Sequence, residues 1–442
     1  MNGKDLEKAL LWEAPHIGEK APEQIPEAQD FCEGYKTFLN EGKTERECVK
    51  KAVTLLENAG YQKFDPKASY KAGDKIYWNN RKKAIIASTI GTKDLNEGLR
   101  MNGAHIDSPR LDLKPNPLFE KDEIAYLKPH YYGGIRKYQW GTVPLSMHGV
   151  VVKADGEVVE ISIGENEGDP QFCVTDLLPH LASEQNGRKL AEGLKGEELN
   201  IIIGSIPYHD EENEKIKNPA KLLTMKLLNE RYGITEKDFT RAEIEMVPAY
   251  KAVDIGLDRG LVGAYGQDDR VCAYTALMAE IGTKNPEHTT FTILTDKEEI
   301  GSVGNTGLHS DYVHHAVEDL AESFGADTKT VLRHSICLSS DVNAAYDPTF
   351  ASVYESRNSS YVNKGCVLTK YTGARGKSGS SDASAETMAK VIGIMEENGV
   401  YWQTGELGAV DAGGGGTIAQ YVAMMDVDVV DRRSDPFHAR TV

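Results

Sequence analysis

Apolar side chains recur at helical spacing near the start of the chain. Two groups show this spacing, Phe31, Tyr35 and Phe38, and then Val49, Ala52, Val53 and Leu56. Such spacing places side chains on one face of a helix. The pattern predicts two amphipathic scaffold helices within residues 26–60, joined near Gly42.

Short apolar runs replace the helical pattern from Lys83 onward. The segments KAIIASTIG and LRMNGAHIDS each end in small or polar residues. Runs of this kind are typical of buried strands in a mixed sheet. We expect functional side chains where these strands end.

The chain after residue 256 alternates helix-like and strand-like segments. The order is DDRVCAYTALMAEIG (helix), TTFTILTDKEEIGS (strand into loop), YVHHAVEDLAESFG (helix), HSICLSSDVN (strand into loop) and SDASAETMAKVIGIMEEN (helix). This alternation predicts the α/β class, with a mixed sheet sandwiched by helices.

Residues 115–256 have a different pattern of apolar and polar positions from the segments on either side. The segment VPLSMHGVVVKADGEVVEISIG predicts a hairpin around Asp155 and Gly156, and ELNIIIGSIP predicts a further strand. We therefore predict an inserted β-rich domain at 115–256 and a main domain formed by 1–114 and 257–442. A length of 442 residues suits two domains better than one core.

Charge narrows the range of partners. Acidic residues outnumber basic ones by 68 to 50, which gives a formal net charge of -18. No dense stripe of Lys and Arg offsets this excess, so neither nucleic acid nor an anionic membrane is an expected partner. Cations are the natural ligands of such a chain.

The arrangement of the cysteines and the N-terminal segment indicate the cellular compartment of the protein. The six cysteines form no CxxC pair, so we expect six free thiols in a reducing cytoplasm. Charged residues interrupt the N-terminal segment MNGKDLEKALLWEAPHIGEK, and no stretch of about 20 apolar residues follows. The sequence predicts a soluble cytoplasmic protein without a signal peptide or a membrane span.

Two candidate ligands end the strand LRMNGAHIDS. His105 and Asp107 are two positions apart, so an extended chain places both on one side of the strand. Imidazole binds metals directly, and a neighbouring carboxylate can orient a ligand or base. A structural histidine without a metal is the competing interpretation of this short motif.

Two acidic segments follow in the main domain. Asp268 and Asp269 open a predicted helix, where acids also serve simply as partners of the helix dipole. Glu298 and Glu299 follow the strand TTFTIL, and such a pair can supply one metal ligand and one general base. A solvated acidic loop is the alternative for this second pair.

A fourth segment completes the candidate set. Asp341 lies at another predicted strand end, where a helix cap or a turn residue competes as explanation. Oxygen ligands and histidine spread over successive strand ends suit two divalent cations about 3.5–4 Å apart. One bridging carboxylate would hold the pair together, and a shared water would lose its proton to become the nucleophile.

Other catalytic signatures are missing from the sequence. It contains no G-x-S-x-G elbow, no Walker loop and no GxGxxG fingerprint after a strand. The run Gly413–Gly416 lacks the lysine of a phosphate loop. It predicts either a mobile loop that presents backbone groups near a substrate or a plain flexible linker.

The motifs together resemble one known family. NGAHIDSPRLDLKPNP, the Asp-Asp-Arg helix start, TDKEEIGSVGNTG, SSDVNAAYDP, GKSGSSDASAE and GGGGTIAQ are similar, in the same order, to motifs of the tetrahedral aspartyl aminopeptidases. The resemblance spans roughly residues 20–431. It implies an aminopeptidase that removes the N-terminal residue of short peptides with two divalent cations, zinc or alternatively cobalt or manganese.

The resemblance also implies roles for individual residues. Asp107 would orient the base, Asp268 would bridge the metals, Glu298 would be the base, and the remaining ligands would be His105, Glu299 and Asp341. His180 would reach a neighbouring subunit's active site, and Lys370 would contact substrate, although a solvated strand lysine competes. The inserted domain would mediate dimerisation, and six dimers would form a hollow homododecamer that admits short peptides with a free N-terminus.

The C-terminus departs from this resemblance. Relatives carry their last ligand histidine in a segment like GVPxLSMHAPFE, whereas this chain ends VVDRRSDPFHARTV. One choice of codons for residues 432–442, read one nucleotide later, encodes Gly-Val-Pro-Ile-Leu-Ser-Met-His-Ala-Pro, followed by the first two bases of a Phe codon. We therefore hypothesise a frameshift near Asp431 that leaves His438 as a stand-in ligand and weakens metal binding and activity. Alternatively, His438 itself binds the metal.

Two other functions compete with the peptidase. A related two-metal deacylase would act on N-acyl amino acids, and free-amine and acylated substrates would separate the two enzymes. The altered C-terminus also suits a catalytically weakened assembly or peptide-binding protein, which would release no product.

Overall fold

The computed structural model describes residues 2–209 and 216–434. Contacts divide the chain into two compact units, of which unit 1 runs up to Asp107 and resumes at Val253, and unit 2 is Ser108–Ala252. The predicted boundary at residue 115 lies inside a continuous strand, Arg110–Lys121, and the one at 257 shortly follows the strand Val253–Ile255.

The helices and strands have the following bounds. The α-helices are α1 Gly3–Leu10, α2 Ile17–Lys20, α3 Ile25–Glu41, α4 Glu45–Asn58, α5 Ser183–Asn186, α6 Pro219–Tyr232, α7 Gln267–Gly282, α8 Tyr312–Phe324, α9 Thr328–Arg333, α10 Ala385–Glu397 and α11 Ala419–Ala423. The strands are β1 Gln62–Lys63, β2 Lys75–Asn80, β3 Ala84–Thr89, β4 Arg100–His105, β5 Arg110–Lys121, β6 Ile124–Tyr132, β7 Leu145–Val152, β8 Val158–Ile163, β9 Cys173–Val174, β10 Ile201–Gly204, β11 Ala242–Pro248, β12 Val253–Ile255, β13 Leu261–Gly263, β14 Thr290–Thr295, β15 Ile336–Val342, β16 Cys366–Thr369, β17 Gly373–Ala374, β18 Trp402–Thr404, β19 Gly414–Gly415 and β20 Asp428–Ser434.

The main sheet belongs to unit 1. Within the described residues nine strands pair in the order β1-β2-β3-β14-β4-β15-β20-β16-β18. The neighbours β14, β4, β15 and β20 run parallel, whereas β3 pairs with β14, and β16 with β20, in the antiparallel sense. The predicted mixed sheet is confirmed. Its four parallel strands bring their carboxyl ends to one edge, which is where sites form in such sheets.

Helices cover both faces of this sheet. Val429 packs in one hydrophobic cluster with side chains of α8, α9 and α11. The next residue, Val430, packs in a second cluster with side chains of α10. Because successive side chains of a strand point to opposite faces, the two clusters lie on opposite sides of β20. This is the predicted arrangement of a sheet between helices.

The two N-terminal helices form where the apolar spacing predicts them. At the start of α4 the Thr44 side chain accepts a hydrogen bond from the Glu47 N–H at 3.3 Å, and the Glu47 carboxylate accepts one from the Thr44 N–H at 3.1 Å. This reciprocal capping box fixes the first turn of the helix. The turn between α3 and α4 therefore has a defined geometry.

Unit 2 is rich in β-structure, as its sequence predicts. Among its described residues seven strands pair in the order β8-β7-β11-β5-β6-β10-β9. The predicted hairpin consists of β7 and β8 with Asp155 and Gly156 between them. Buried apolar side chains such as Leu111, Met147 and Met246 form the core of this unit.

The glycine run contains a short paired strand, so its interpretation as a plain flexible linker is wrong. Gly414 and Gly415 form β19 and pair with β17. A Cβ atom at Gly414 would lie 2.4 Å from the Gly373 carbonyl oxygen, and one at Gly413 would lie 2.3 Å from that of Leu407. Glycine is needed here because two backbones approach more closely than a side chain permits.

Two further expectations concern thiols and membranes. All six cysteines are free, as predicted. In the part of the chain that the structure describes, we find no helix that is both long enough and apolar enough to cross a membrane.

Candidate metal centre

His105 is the last residue of β4 and lies at the centre of the candidate site. Its imidazole is buried, with 1% of its surface exposed. Nδ1 lies 3.0 Å from the Asp107 backbone oxygen, and Nε2 lies 3.2 Å from Asp268 Oδ1. A neutral imidazole that donates from Nδ1 to a carbonyl presents the Nε2 lone pair to a metal.

Asp107 connects this imidazole to the next strand end. Its buried carboxylate lies 3.3 Å from His105 Nδ1. The same carboxylate accepts hydrogen bonds from the N–H groups of Glu298 at 3.1 Å and Glu299 at 3.2 Å. A carboxylate that binds the first N–H groups of a helical turn fixes that turn. Asp107 thus holds the two glutamates in register with His105.

The loop after β14 presents the glutamate pair. Lys297 has φ +67°, which turns the chain sharply before the 3₁₀ turn Glu298–Ile300. Asp296 closes the loop, because its carboxylate accepts hydrogen bonds from Thr306 Oγ1 at 2.6 Å and from the Lys297 N–H at 2.8 Å. One Glu298 carboxylate oxygen then lies 3.9 Å from His105 Nε2.

Asp268 and Asp269 precede the regular part of α7. Their backbone angles, φ -84° with ψ 108° and φ -116° with ψ 34°, are not helical. This geometry is not that of ordinary acids in the first turn of a regular helix, which was the competing interpretation. Asp269 is fully buried, and its Oδ2 lies 3.4 Å from the His105 backbone nitrogen.

Asp341 comes from the carboxyl end of β15, the neighbour of β4. One of its carboxylate oxygens lies 3.8 Å from His105 Nε2. Two groups of side chains present ligand atoms within 4.8 Å of one another, His105 with Asp269 and Asp341, and His105 with Asp268 and Glu299. The structure therefore brings together His105, Asp107, Asp268, Glu298, Glu299 and Asp341 from four distant segments.

Burial makes this concentration of carboxylates costly. Burial raises the pKa of Glu298 to about 7. The neighbouring carboxylates of Asp341, Asp107 and Asp268 add to this effect, and His105 opposes it. Burial and nearby carboxylates also raise the pKa values of Asp269 and Glu299 well above their usual range. Buried acids take up protons unless cations compensate their charge.

The pKa of His105 is shifted in the direction expected for an imidazole surrounded by carboxylates. Burial lowers its pKa, but hydrogen bonds with Asp107, Asp268 and Asp341 outweigh burial and raise the pKa well above the usual value. Asp269 Oδ1 and Glu299 Oε1 are buried and have no hydrogen-bond partner among the described residues. Oxygen atoms of this kind beside an imidazole nitrogen are the donor set that zinc accepts. The residues fit a metal.

The remaining predicted site residues lie elsewhere. His180 is exposed and belongs to the 3₁₀ turn Pro179–Leu181 of unit 2. Lys370 is exposed in unit 1 and forms an ion pair of 2.8 Å with Asp382. His438 lies outside the described residues.

Sequence reasoning passed over Asp269 as a candidate ligand. The available signal was its adjacency to Asp268, but adjacent acids before a helix also occur for purely electrostatic reasons. Only the fold shows that Asp269 faces His105 and Asp341.

Acids and an imidazole at the carboxyl edge of a mixed sheet are the arrangement of a metal-dependent hydrolase, in which a metal centre activates water. A family model described as aminopeptidase I zinc metalloprotease (M18) matches residues 38–433. The probable M18 family aminopeptidase 1 of Clostridium acetobutylicum is 49% identical over 417 residues, 92% of this chain and 89% of that protein. The chain belongs to the M18 family of zinc metallo-aminopeptidases, the aspartyl aminopeptidase family, and is a hydrolase.

Solved structures agree with this assignment. The crystal structure of an M18-family aminopeptidase from Thermotoga maritima matches with a TM-score of 0.93 and 43% identity, covering 98% of this chain and 95% of that chain. A structure of the S. cerevisiae mApe1 dodecamer matches with a TM-score of 0.73 and 20% identity, covering 92% and 90%. At that identity, the second likeness shows the fold alone.

Proposed function

We propose that this aminopeptidase hydrolyses short peptides with two divalent cations and Glu298 as general base. One observation carries the proposal: carboxylates from two strand ends and a helix start converge on His105 Nε2, at 3.2 Å for Asp268 and 3.8 Å for Asp341. Glu298 stands at 3.9 Å, slightly farther from the ring than these two acids.

The geometry supports a division of the ligands. Asp268 would bridge the cations, since it belongs to a group with Glu299 and also faces the imidazole. His105 and Asp341 would complete one position and Glu299 the other. Nitrogen and oxygen donors suit zinc, and cobalt and manganese accept the same set.

His438 is the proposed last ligand. Strand β20 ends at Ser434, which pairs with Val342, the residue after Asp341. The described part of β20 therefore ends beside the strand end that carries Asp341, and eight residues follow Ser434 in the sequence. His438 is the histidine within this stretch.

Glu298 performs the proton transfers in this mechanism. Bound cations would polarise the scissile carbonyl and make the attacking water acidic near neutral pH. Glu298 accepts a proton from that water and delivers it to the leaving amine. A carboxylate beside the attacking water can carry out both transfers. Asp107 keeps Glu298 in place through the N–H contact at 3.1 Å.

Substrate recognition and assembly complete the proposal. Carboxylates around the centre favour a free, positively charged N-terminus on the peptide. Lys370 would contact the substrate, and His180 would act in the site of a neighbouring subunit. Unit 2 would be the dimerisation domain, and dimers would assemble into a homododecamer, the state in which S. cerevisiae mApe1 was solved.

The test combines metal removal with one substitution. We expect metal-stripped protein to lose turnover of aminoacyl anilides, and zinc to restore turnover at a stoichiometry of two ions per chain. Glu298→Gln should bind zinc normally but lower kcat by about 10²–10⁴-fold, the usual contribution of a general base.

The controls separate the roles of the residues. Glu322→Gln, on the exposed surface of α8, should leave kcat unchanged. His438→Ala should reduce the zinc bound per chain while leaving the first ion in place. Full activity of the metal-free protein, or wild-type kcat in Glu298→Gln, would contradict the proposed mechanism.

A further inference from the structure

Arg270 is a buried cation that the mechanism above does not use. It directly follows Asp268 and Asp269 in α7, and only 1% of its surface is exposed. It heads the set of the largest fully buried side chains. A guanidinium stays charged in a protein and carries five N–H donors that need partners, so its burial requires a specific environment.

Two other segments of unit 1 accept hydrogen bonds from Arg270. Its Nε donates to the Ile106 carbonyl oxygen at 3.2 Å, and one Nη donates to the Lys43 carbonyl oxygen at 3.1 Å. The guanidinium carbon also lies 5.3 Å from the centre of the Tyr265 ring. Arg270 therefore links the start of α7 to the end of β4 and to the α3–α4 turn.

The contact with Ile106 concerns the centre directly. Ile106 is the residue between His105 and Asp107, and it is completely buried. Its N–H donates to the Thr295 carbonyl oxygen at 2.9 Å, and its own carbonyl accepts from Arg270. Both peptide groups that flank Ile106 are thus held from opposite sides. A rotation of either peptide would displace the imidazole or the Asp107 carboxylate.

The contact with Lys43 supplies a rigid anchor. Lys43 lies between Gly42, whose N–H bonds to the Phe38 oxygen at 2.9 Å, and Thr44 of the capping box. The Lys43 N–H itself donates to Glu47 at 3.0 Å. Because this turn is fixed at both ends, a guanidinium bound to it can hold Ile106 in a constant position.

We propose that Arg270 is a positioning residue that fixes the angle between His105 and Asp107 through the Ile106 carbonyl. This inference rests on the metal centre proposed above and goes beyond it, since Arg270 is neither a ligand nor a base. The planar fork of arginine reaches two carbonyl oxygens at once from one rigid group. The single ammonium of lysine offers no such fork, so lysine cannot replace arginine here.

The test is the substitution Arg270→Lys in the full chain, which retains the charge. Zinc affinity is measured by equilibrium dialysis of metal-stripped protein, and kcat, KM and Tm are measured on the zinc-loaded protein. We expect the zinc dissociation constant to rise about 10–100-fold, as is usual when a group that orients a ligand is altered. The value of kcat should fall while KM changes little, because a side chain with 1% of its surface exposed is not accessible to the substrate.

Arg100→Lys is the matched control on the same strand. Arg100 begins β4, donates to the Leu99 carbonyl oxygen at 3.2 Å and lies 2.8 Å from His288 Nε2. Its replacement should lower Tm without changing zinc affinity. Tyr265→Leu, which removes the ring beside the guanidinium, should raise the zinc dissociation constant in a smaller degree and tests the inference if Arg270→Lys does not fold.

The outcomes separate this inference from the metal centre itself. Wild-type zinc affinity in a folded Arg270→Lys protein, or in Tyr265→Leu if that variant alone folds, overturns the positioning role. An equal loss of affinity in Arg100→Lys also overturns it, because a general loosening of β4 would then suffice. A wild-type chain that binds no zinc overturns the centre and, with it, the role of Arg270.

Discussion

At the scale of single residues, the site consists of acids that are unfavourable without cations. Glu298, Glu299 and Asp269 are each buried among like charges, and each has a raised pKa. Buried acids with raised pKa values are typical of functional sites, where they bind a cation or transfer a proton. The metal-free protein must therefore hold extra protons or lose stability.

The stability of metal-free protein should fall as the pH rises. The pKa of Glu298 is raised from 4.5 to about 7 in the folded chain. The folded state therefore binds this proton more tightly than the unfolded state does. The contribution of Glu298 to the free energy of unfolding is fully present below pH 4.5 and is lost as the pH rises through about 7. We expect a loss on the order of 3 kcal/mol from this group, measured by denaturant unfolding across that range.

Glu298→Gln provides the comparison for this pH dependence. The variant lacks the titrating group, so the metal-free variant should lose less stability than the metal-free wild type over the same range. Zinc should restore stability at neutral pH, because its charge replaces that of the protons. Identical pH dependences for the two metal-free proteins would show that Glu298 does not titrate there.

The sequence allowed part of this residue set to be predicted. The spacing of His105 and Asp107 and the adjacency of Glu298 and Glu299 are local patterns, and the fold places all four around one centre. Asp269 and Arg270 escaped prediction because their contacts, with His105 and with Ile106, connect residues 164 positions apart. No local pattern encodes which distant backbone a side chain will meet.

At the scale of elements, the glycine run shows how a composition can mislead. Four successive glycines indicate flexibility, since glycine permits many conformations. In the folded chain two of them form β19, which pairs with β17 beside a cavity of about 290 Å³ whose lining includes Tyr371, Lys377 and Arg433. The glycines are required by close packing, which only the partner strand reveals.

Gly414→Ala should destabilise this paired segment. Gly414 has φ +115°, and an added Cβ would meet the Gly373 oxygen at 2.4 Å. We expect a loss of about 1–3 kcal/mol in the free energy of unfolding. Gly376→Ala is the matched control, because Gly376 has open space around its Cβ position and no positive φ. Equal stability of the two variants would argue against the close approach.

The elements themselves follow the sequence closely where periodicity is strong. The helices α3, α4, α7, α8 and α10 and the strands β3, β4, β14 and β15 form in the segments that predict them. Domain boundaries are less accessible to sequence analysis. The long strand β5 starts at Arg110, whereas the pattern of apolar and polar residues changes only at residue 115. A strand can begin in a segment without apolar alternation, so the pattern does not mark its start.

At the scale of the whole molecule, the proposed role of His180 depends on assembly. His180 belongs to unit 2, whereas all the candidate ligands in the described residues belong to unit 1. If His180 serves a neighbouring subunit, two different inactive variants can complement each other.

Mixed oligomers should test this dependence. His180→Ala and Glu298→Gln are expected to be nearly inactive separately. After joint dissociation and reassembly, a Glu298→Gln subunit supplies an intact His180 to the site of a His180→Ala neighbour, and turnover should reappear. Reassembly of each variant alone is the control. Mixed oligomers that contain both variants and remain as inactive as each variant alone would contradict a role in the neighbouring subunit. His180 would then act in the site of its own subunit or in neither site.

The order of strands in the main sheet has a consequence for how the protein matures. Strands β4 and β15 are neighbours, and the Leu99 N–H donates to Ser335 Oγ across 236 positions of the chain. The whole of unit 2 lies within that loop. Pairing across so long a loop is slow, because its entropic cost precedes any favourable contact. The ligands lie far apart in the sequence, and we expect the complete metal centre to form only after β4 and β15 have paired.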